Sequence, residues 1–191
     1  YENRYVLSAN PDFYKRLEHS YDARFFRQEV LGEYLNISQG RVYESFDRER
    51  NIRQTELNPR MPLYWSLDFN VTPLCSILAQ TDGDVIHVLD EISLENATVG
   101  DAVEALHNKI GKSPAGLIVT GDASGRQRSV TALGDTYTEL RRHLAAAGFH
   151  NTTFRVPRSN PPVLKRVKLV NAHLLNASGE TRTTVNPQCR E

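Results

Sequence analysis

The sequence predicts an α/β domain. Its mixed sheet has three antiparallel strands followed by parallel ones, is flanked by helices, and is preceded by an N-terminal helical approach segment. Three observations predict this. First, Leu63-Tyr-Trp-Ser-Leu-Asp-Phe-Asn70 and Leu117-Ile-Val-Thr-Gly-Asp122 are apolar, strand-length runs, each with a single acid at or near its end. Second, three strand-length segments between 62 and 92 are joined by short turns, which suits an antiparallel meander. Third, strands then alternate with helix-period segments, the pattern of parallel crossovers.

Taken in order, Asp12–Ser20 and Ala23–Gly32 read as two short helices. Leu17 and Tyr21, then Phe26, Val30 and Leu31, form their apolar stripes. Asp12 and Asp22 are candidate helix starts, and Gly32 a stop. Val42–Phe46 alternates like a strand, and 47–60 is polar and loop-like. Strand one covers about 62–70, strand two 74–80 and strand three 85–92, with Asp82-Gly83 as the hairpin signal between the last two. A helix over 98–110 carries Val99, Val103, Leu106 and Ile110 on one face. Strand four, 117–120, follows it. A helix over 135–147 has Asp135 as N-cap and Gly148 as its stop. Strand five is 153–156, and a helix over 162–176 has Val163, Val167, Val170 and Leu174 as its stripe. Residues 181–185 form a hairpin-like tail, and 186–191 open a further helix.

Composition bounds the function. The 191 residues are 39% hydrophobic and 24% charged, a globular balance. No apolar run approaches the roughly 20 residues of a membrane span, so no membrane partner is expected. Cys75 and Cys189 stand in no ligand spacing and read as free thiols of a protein inside the cell. Formal charge is zero but unevenly spread. Residues 1–122 hold 12 Lys and Arg against 19 Asp and Glu, and residues 123–191 hold 11 against 4. The basic part suits a polyanion, and equally an ordinary solvated surface.

The two strand-end acids carry the chemistry. Asp68 in a buried strand is costly unless something binds it. Asp68 and Asp122 are two strand-end carboxylates on one sheet, the hardware of a divalent-metal site. Hard oxygen ligands select Mg²⁺ or Mn²⁺ over zinc. Glu91 ends strand three and is a further candidate ligand. Two strands from strand one, it better suits a hydrogen-bonding role, and Asp90 points to the opposite face. Ser124 and Gly125 suit either a close backbone approach to phosphate or a tight turn. Arg126 and Arg128 follow Asp122 and are candidates to contact phosphates near it. Arg155, Arg158, Lys165, Arg166 and Lys168, with Arg141 and Arg142, are candidates for a surface that faces a polyanion.

The meander followed by parallel units resembles the ribonuclease H-like fold, in which strand four lies beside strand one. The resemblance narrows further. Trp65-Ser-Leu-Asp-Phe-Asn70 and Thr120-Gly-Asp-Ala-Ser-Gly125 are similar to the two acidic motifs of the nuclease domain of large terminase subunits from tailed bacteriophages. Phe13-Tyr-Lys-Arg-Leu, Arg27-Gln-Glu-Val-Leu-Gly32 and Val42-Tyr-Glu-Ser-Phe46 resemble the stretch joining the packaging ATPase to that nuclease. Asn160-Pro-Pro-Val163 and Asn186-Pro-Gln-Cys189 resemble its last part.

The resemblance implies a metal-dependent endonuclease that cuts concatemeric double-stranded DNA using two Mg²⁺ or Mn²⁺ ions, in the host bacterial cytoplasm. Residues 1–60 would be an approach segment from an ATPase domain, and 61–191 the nuclease. The implied partners of the full protein are a small terminase subunit and the portal. Two departures stand out. No Walker-type phosphate-binding motif occurs, and the family's third acid is expected beyond Glu191. Two rivals remain. One is a junction-resolving or transposase-like nuclease; the other is a non-cleaving DNA-docking or regulatory module of the same fold.

Overall fold

The computed structural model describes residues 4–30, 41–69, 72–111, 115–126 and 135–190. The expected helix stop at Gly32 and the candidate Arg128 lie outside them. The chain divides into two compact units. One holds Tyr1–Arg53, Gly83–Val85 and Pro161–Thr184; the other holds Gln54–Asp82, Ile86–Asn160 and Val185–Glu191.

The strands are β1 (Leu63–Asp68), β2 (Leu74–Asp82), β3 (Val85–Leu94), β4 (Leu117–Gly121), β5 (Thr152–Phe154) and β6 (Thr183–Val185). They form one sheet in the order β5-β4-β1-β2-β3-β6. β1 is antiparallel to β2 and parallel to β4, and β4 is parallel to β5. The expected mixed sheet is therefore observed, with strand four beside strand one. β6 adds an edge strand where only a hairpin-like tail was expected.

One face of β1 and β2 is the core. Leu63, Trp65, Leu67, Leu74 and Leu78 are buried against Ala102, Val103 and Leu106 of α5 (Val99–Ile110) and Tyr137, Leu140 and Leu144 of α6 (Thr136–Ala146). Alternation along β1 puts Trp65 in this layer, where its indole Nε1 donates to Ser76 Oγ at 2.9 Å, so burial leaves no unpaired N–H. α5 starts on a capping box: Thr98 Oγ1 accepts from Asp101 N while the Asp101 carboxylate accepts from Thr98 N at 2.7 Å. Asp135 caps α6 as expected, its Oδ1 accepting from Thr138 N at 2.7 Å.

The other unit holds α1 (Arg4–Ala9), α2 (Phe13–Ser20), α3 (Ala23–Phe25), α4 (Arg48–Asn51) and α7 (Val163–Leu174). Asp22 caps α3, but Asp12 makes no side-chain cap bond at α2. The second expected helix is a single turn that continues as a π-helical segment, Phe26–Val30.

Val42–Phe46 is a turn, not the expected strand. Asn171 explains it: its Nδ2 donates to Val42 O at 3.0 Å and its Oδ1 accepts from Ser45 N at 3.0 Å. A side chain distant in sequence supplies the bonds a strand partner would have supplied. The loop expected over 47–60 holds α4, capped by Asp47. The stripe expected on α7 holds only in part. Leu174 is buried as expected, but Val163 is 65% exposed and Val170 38%, and Asn171 and Ala172 are buried in their stead. A satisfied amide takes the place of an aliphatic side chain. Residues 186–190 are not helical. Asn186 instead donates its Nδ2 to Thr55 O and Leu89 O, and its Oδ1 accepts from Thr55 N.

Candidate active site

Parallel pairing of β1 and β4 runs from Leu63 opposite Leu117 to Leu67 opposite Gly121. The next residue on each strand is the acid. The pairing continues one step further, with Asp122 N donating to Leu67 O at 3.3 Å. The ladder therefore brings Asp68 and Asp122 to neighbouring positions at one end of the sheet.

Asp122 is tied on several sides. Its Oδ1 accepts from Ser124 N at 2.6 Å and from Asn160 Nδ2 at 2.7 Å. Its carbonyl accepts from Tyr137 Oη at 2.8 Å. The turn that follows is a short 3₁₀ helix, Ala123–Arg126. Tyr137 is itself fixed between Phe69 and Phe154, edge to face at 5.0 and 6.3 Å between centroids. The glycines flanking the motif are packing residues. A Cβ at Gly125 would stand 2.8 Å from the rings of both Phe69 and Tyr137, so its absence lets the turn pack against them.

Asp68 is exposed, which corrects the expectation of a buried carboxylate. It is the last residue of β1, where the apolar alternation ends and the strand leaves the core. No burial cost argues for a bound cation here; position alone does. Asp68 lines a cavity of about 350 Å³ with Ser66, Cys75, Ser93 and Glu91. Glu91 thus shares a wall with Asp68, and its Oε1 accepts the Arg190 N–H at 2.5 Å. Asp90 faces the other way and pairs with Lys109 Nζ at 2.8 Å.

The basic candidates are spread over both units. Arg155 and Arg158 are exposed in the unit that holds Asp122. Arg155 continues β5, its N–H donating to Val119 O at 2.8 Å. Lys165, Arg166 and Lys168 lie on α7 in the other unit, and the Lys168 ammonium sits over the Phe25 ring at 3.8 Å. Arg126 gives its backbone to the turn after Asp122, and Arg141 stacks on Phe154 at 4.1 Å.

Both cysteines are free. Burial, then the nearby Glu91 and Asp90 carboxylates, push the Cys189 thiol up. Among the described residues, no group of three or more His, Cys, Asp or Glu is gathered to hold a metal ion. The register brings two carboxylates, Asp68 and Asp122, to the sheet end. Their chemistry fits a hard divalent cation: the oxygens are carboxylate, and Asp122 is held by N–H donors as metal-ligating carboxylates are.

Sequence reasoning missed Tyr137 and Asn160. Tyr137 lay within the helix expected over 135–147, with nothing to single it out. Asn160 was visible only as part of an Asn-Pro-Pro stretch, with nothing to connect it to a carboxylate 38 residues earlier.

Solved structures share this arrangement of strands and helices. The large terminase of a thermophilic bacteriophage, in complex with ATP-gamma-S, aligns over 96% of this chain and 43% of its own, at TM-score 0.63 and 20% identity. The P22 large terminase nuclease domain aligns over 81% of this chain and 76% of its own, at TM-score 0.57 and 19% identity. The fold is that of a large-terminase nuclease domain. It is the ribonuclease H-like mixed sheet that the meander and crossovers predict. The chain spans about two fifths of the thermophilic phage's terminase. No protein-family model matches the sequence, and no curated protein matches it.

Within this terminase-nuclease fold, the two acids occupy paired strand ends that any β1–β4 register slip would separate. Slipping one residue would move Asp122 away from Asp68 and turn its side chain to the other face. Buried Leu63, Trp65 and Leu67 on β1 and Leu117, Ile118 and Val119 on β4 oppose that slip, so core packing holds the site in register.

Proposed function

We propose that the chain is the divalent-metal-dependent DNA endonuclease domain of a viral packaging terminase, with Asp68 and Asp122 as the catalytic, metal-holding pair. The β1–β4 register, which sets these acids side by side at the sheet end, carries the reading. The terminase-nuclease fold supports it, as does the hard-oxygen chemistry of the pair. Bound Mg²⁺ or Mn²⁺, as two ions, would activate water and stabilise the leaving oxygen of a phosphodiester.

The chain's own residues do the rest. Asp68 and Asp122 supply negative charge at fixed positions. Ser124 N–H, Asn160 and Tyr137 keep Asp122 from rotating. Glu91, on the same cavity wall as Asp68, holds the 190 region through a backbone N–H and is a further candidate ligand. Arg155 and Arg158 meet backbone phosphates, and Arg126, Arg128 and the α7 bases Lys165, Arg166 and Lys168 are further candidates for that role. The substrate would be concatemeric double-stranded DNA in the host bacterial cytoplasm. Residues 1–60 would lead in from an ATPase domain, with 61–191 as the nuclease, and the full protein would meet a small terminase subunit and the portal.

Plasmid nicking in Mg²⁺ and in Mn²⁺ tests this. Wild type should nick, and Asp68→Asn and Asp122→Asn should each lose about a hundredfold or more. Equal nicking by all three would remove both acids from the mechanism. A second reading, a DNA-docking module that does not cut, is favoured by the local work of Asp122 as the acceptor that starts the 3₁₀ turn. DNA binding without nicking in either metal would select it.

A further inference from the structure

We infer that Asn160 is a positioning residue for the Asp122 carboxylate, aiming it at a divalent cation; this rests on the nuclease reading above. Both ends of the amide are used. Its Oδ1 accepts from Ala123 N at 2.9 Å, and its Nδ2 donates to Asp122 Oδ1 at 2.7 Å. The Ala123 N–H fixes which end is oxygen, so the amide nitrogen faces the carboxylate. Local turn geometry does not require this partner, because the Ser124 N–H at 2.6 Å already closes the turn after Asp122. Asn160 arrives from the loop after β5, 38 residues on, and joins the backbone and side chain of the same motif.

The residue type matters. Lys or Arg there would neutralise the carboxylate and compete with a cation. Aspartate would set an acceptor against an acceptor. A neutral amide directs the carboxylate without altering the charge available to a metal. Outer partners of this kind set metal affinity by roughly 10–100-fold. Asn160 is also exposed, so the fold depends little on it.

The test uses the whole chain. Melting temperature is followed against Mn²⁺ concentration for wild type, Asn160→Ala, Asn160→Ser and Asp122→Asn, together with plasmid nicking. The expected result is that Asn160→Ala moves the Mn²⁺ midpoint up by about tenfold or more, with the metal-free melting temperature within about 2 °C of wild type. Asn160→Ser, which keeps a donor, should fall between the two. Nicking by Asn160→Ala should recover at saturating Mn²⁺, and nicking by Asp122→Asn should not. An unchanged Mn²⁺ midpoint in Asn160→Ala overturns the inference, as does a large loss of metal-free stability with no change in midpoint. In both cases the nuclease reading stands if wild type still binds Mn²⁺ and nicks. A wild type that neither responds to Mn²⁺ nor nicks overturns the nuclease reading, and the role of Asn160 with it.

Discussion

Gly121 closes β4 at φ +156°, and a side chain there would run into the Leu67 carbonyl and stand 2.8 Å from Tyr137 Oη. The missing Cβ lets β4 approach β1 closely enough for Asp122 N–H to reach Leu67 O. One absent methyl thus permits the close backbone approach of the two strands beside Asp68 and Asp122. Gly121→Ala should destabilise the fold by about 2–4 kcal/mol, read by urea unfolding, and should depress nicking even where the protein remains folded. Wild-type stability in this variant would show that the approach is not tight. At this scale the acids themselves were legible, since an apolar run ending in Asp is a local pattern. Asp68's exposure was not, because it depends on where the strand leaves the core. The tyrosine and asparagine on Asp122 were hidden too, each being unremarkable in its own segment.

Helix α5 shows what an element can carry alone. Thr98 and Asp101 satisfy each other's backbone N–H groups, and Val103 and Leu106 fill the core. Thr98→Ala should cost about 1 kcal/mol. Hydrogen bonds from Thr98 hold the Asp101 carboxyl below its ordinary value of 3.8. A depressed folded pKa gives stability that is present above the unfolded pKa and lost as pH falls through the folded one. The contribution should therefore be full above about pH 5 and fade as pH drops below about 4. Asp101→Asn should remove that part of the acid dependence, measured by thermal melting at stepped pH; an unchanged profile would put the acid sensitivity elsewhere. Helix α7 teaches the opposite lesson. Its aliphatic spacing suggested a buried stripe through Val163, Val167, Val170 and Leu174, yet Val163 and Val170 are exposed and Leu174 is buried beside Asn171 and Ala172. The periodicity was real, but which face is covered depends on what the rest of the chain offers, and here it offered two backbone partners at 42 and 45.

Across the whole molecule, charge is the property to test. Net charge is zero, but the basic residues concentrate after Asp122, and Arg155 and Arg158 are exposed in the unit that carries the acids. DNA affinity should fall with salt at a log–log slope near about −0.9 for each phosphate contacted. Arg155→Ala and Arg158→Ala should each flatten that slope by about 1. A slope that neither variant changes would remove these two arginines from the DNA surface, and a flat wild-type response would make the charge ordinary solvated surface. Lys168 belongs to this test as a contrast, because its ammonium already sits over Phe25 and has less to give a phosphate.

The sequence by itself determined the sheet's plan. Alternation within a short run of residues fixes which side of β1 and β2 is core. The Asp82-Gly83 turn makes the hairpin, with Gly83 at φ +57°. Helical spacing between strands makes the later pairing parallel. These are short-range or topological consequences of the chain, legible before any contact is known; that strand four lies beside β1, which brings the two strand-end acids together, was implied by the resemblance and is seen in the sheet order. Tertiary structure alone decided the turn at 42–46, the polar face of α7, the exposed position of Asp68 and the amide that holds Asp122. The turn and the amide depend on partners far away in sequence, Asn171 for Ser45 and Asn160 for Asp122. Such pairings are chosen by where packing leaves a donor or acceptor unmet, and no local window of sequence carries that information.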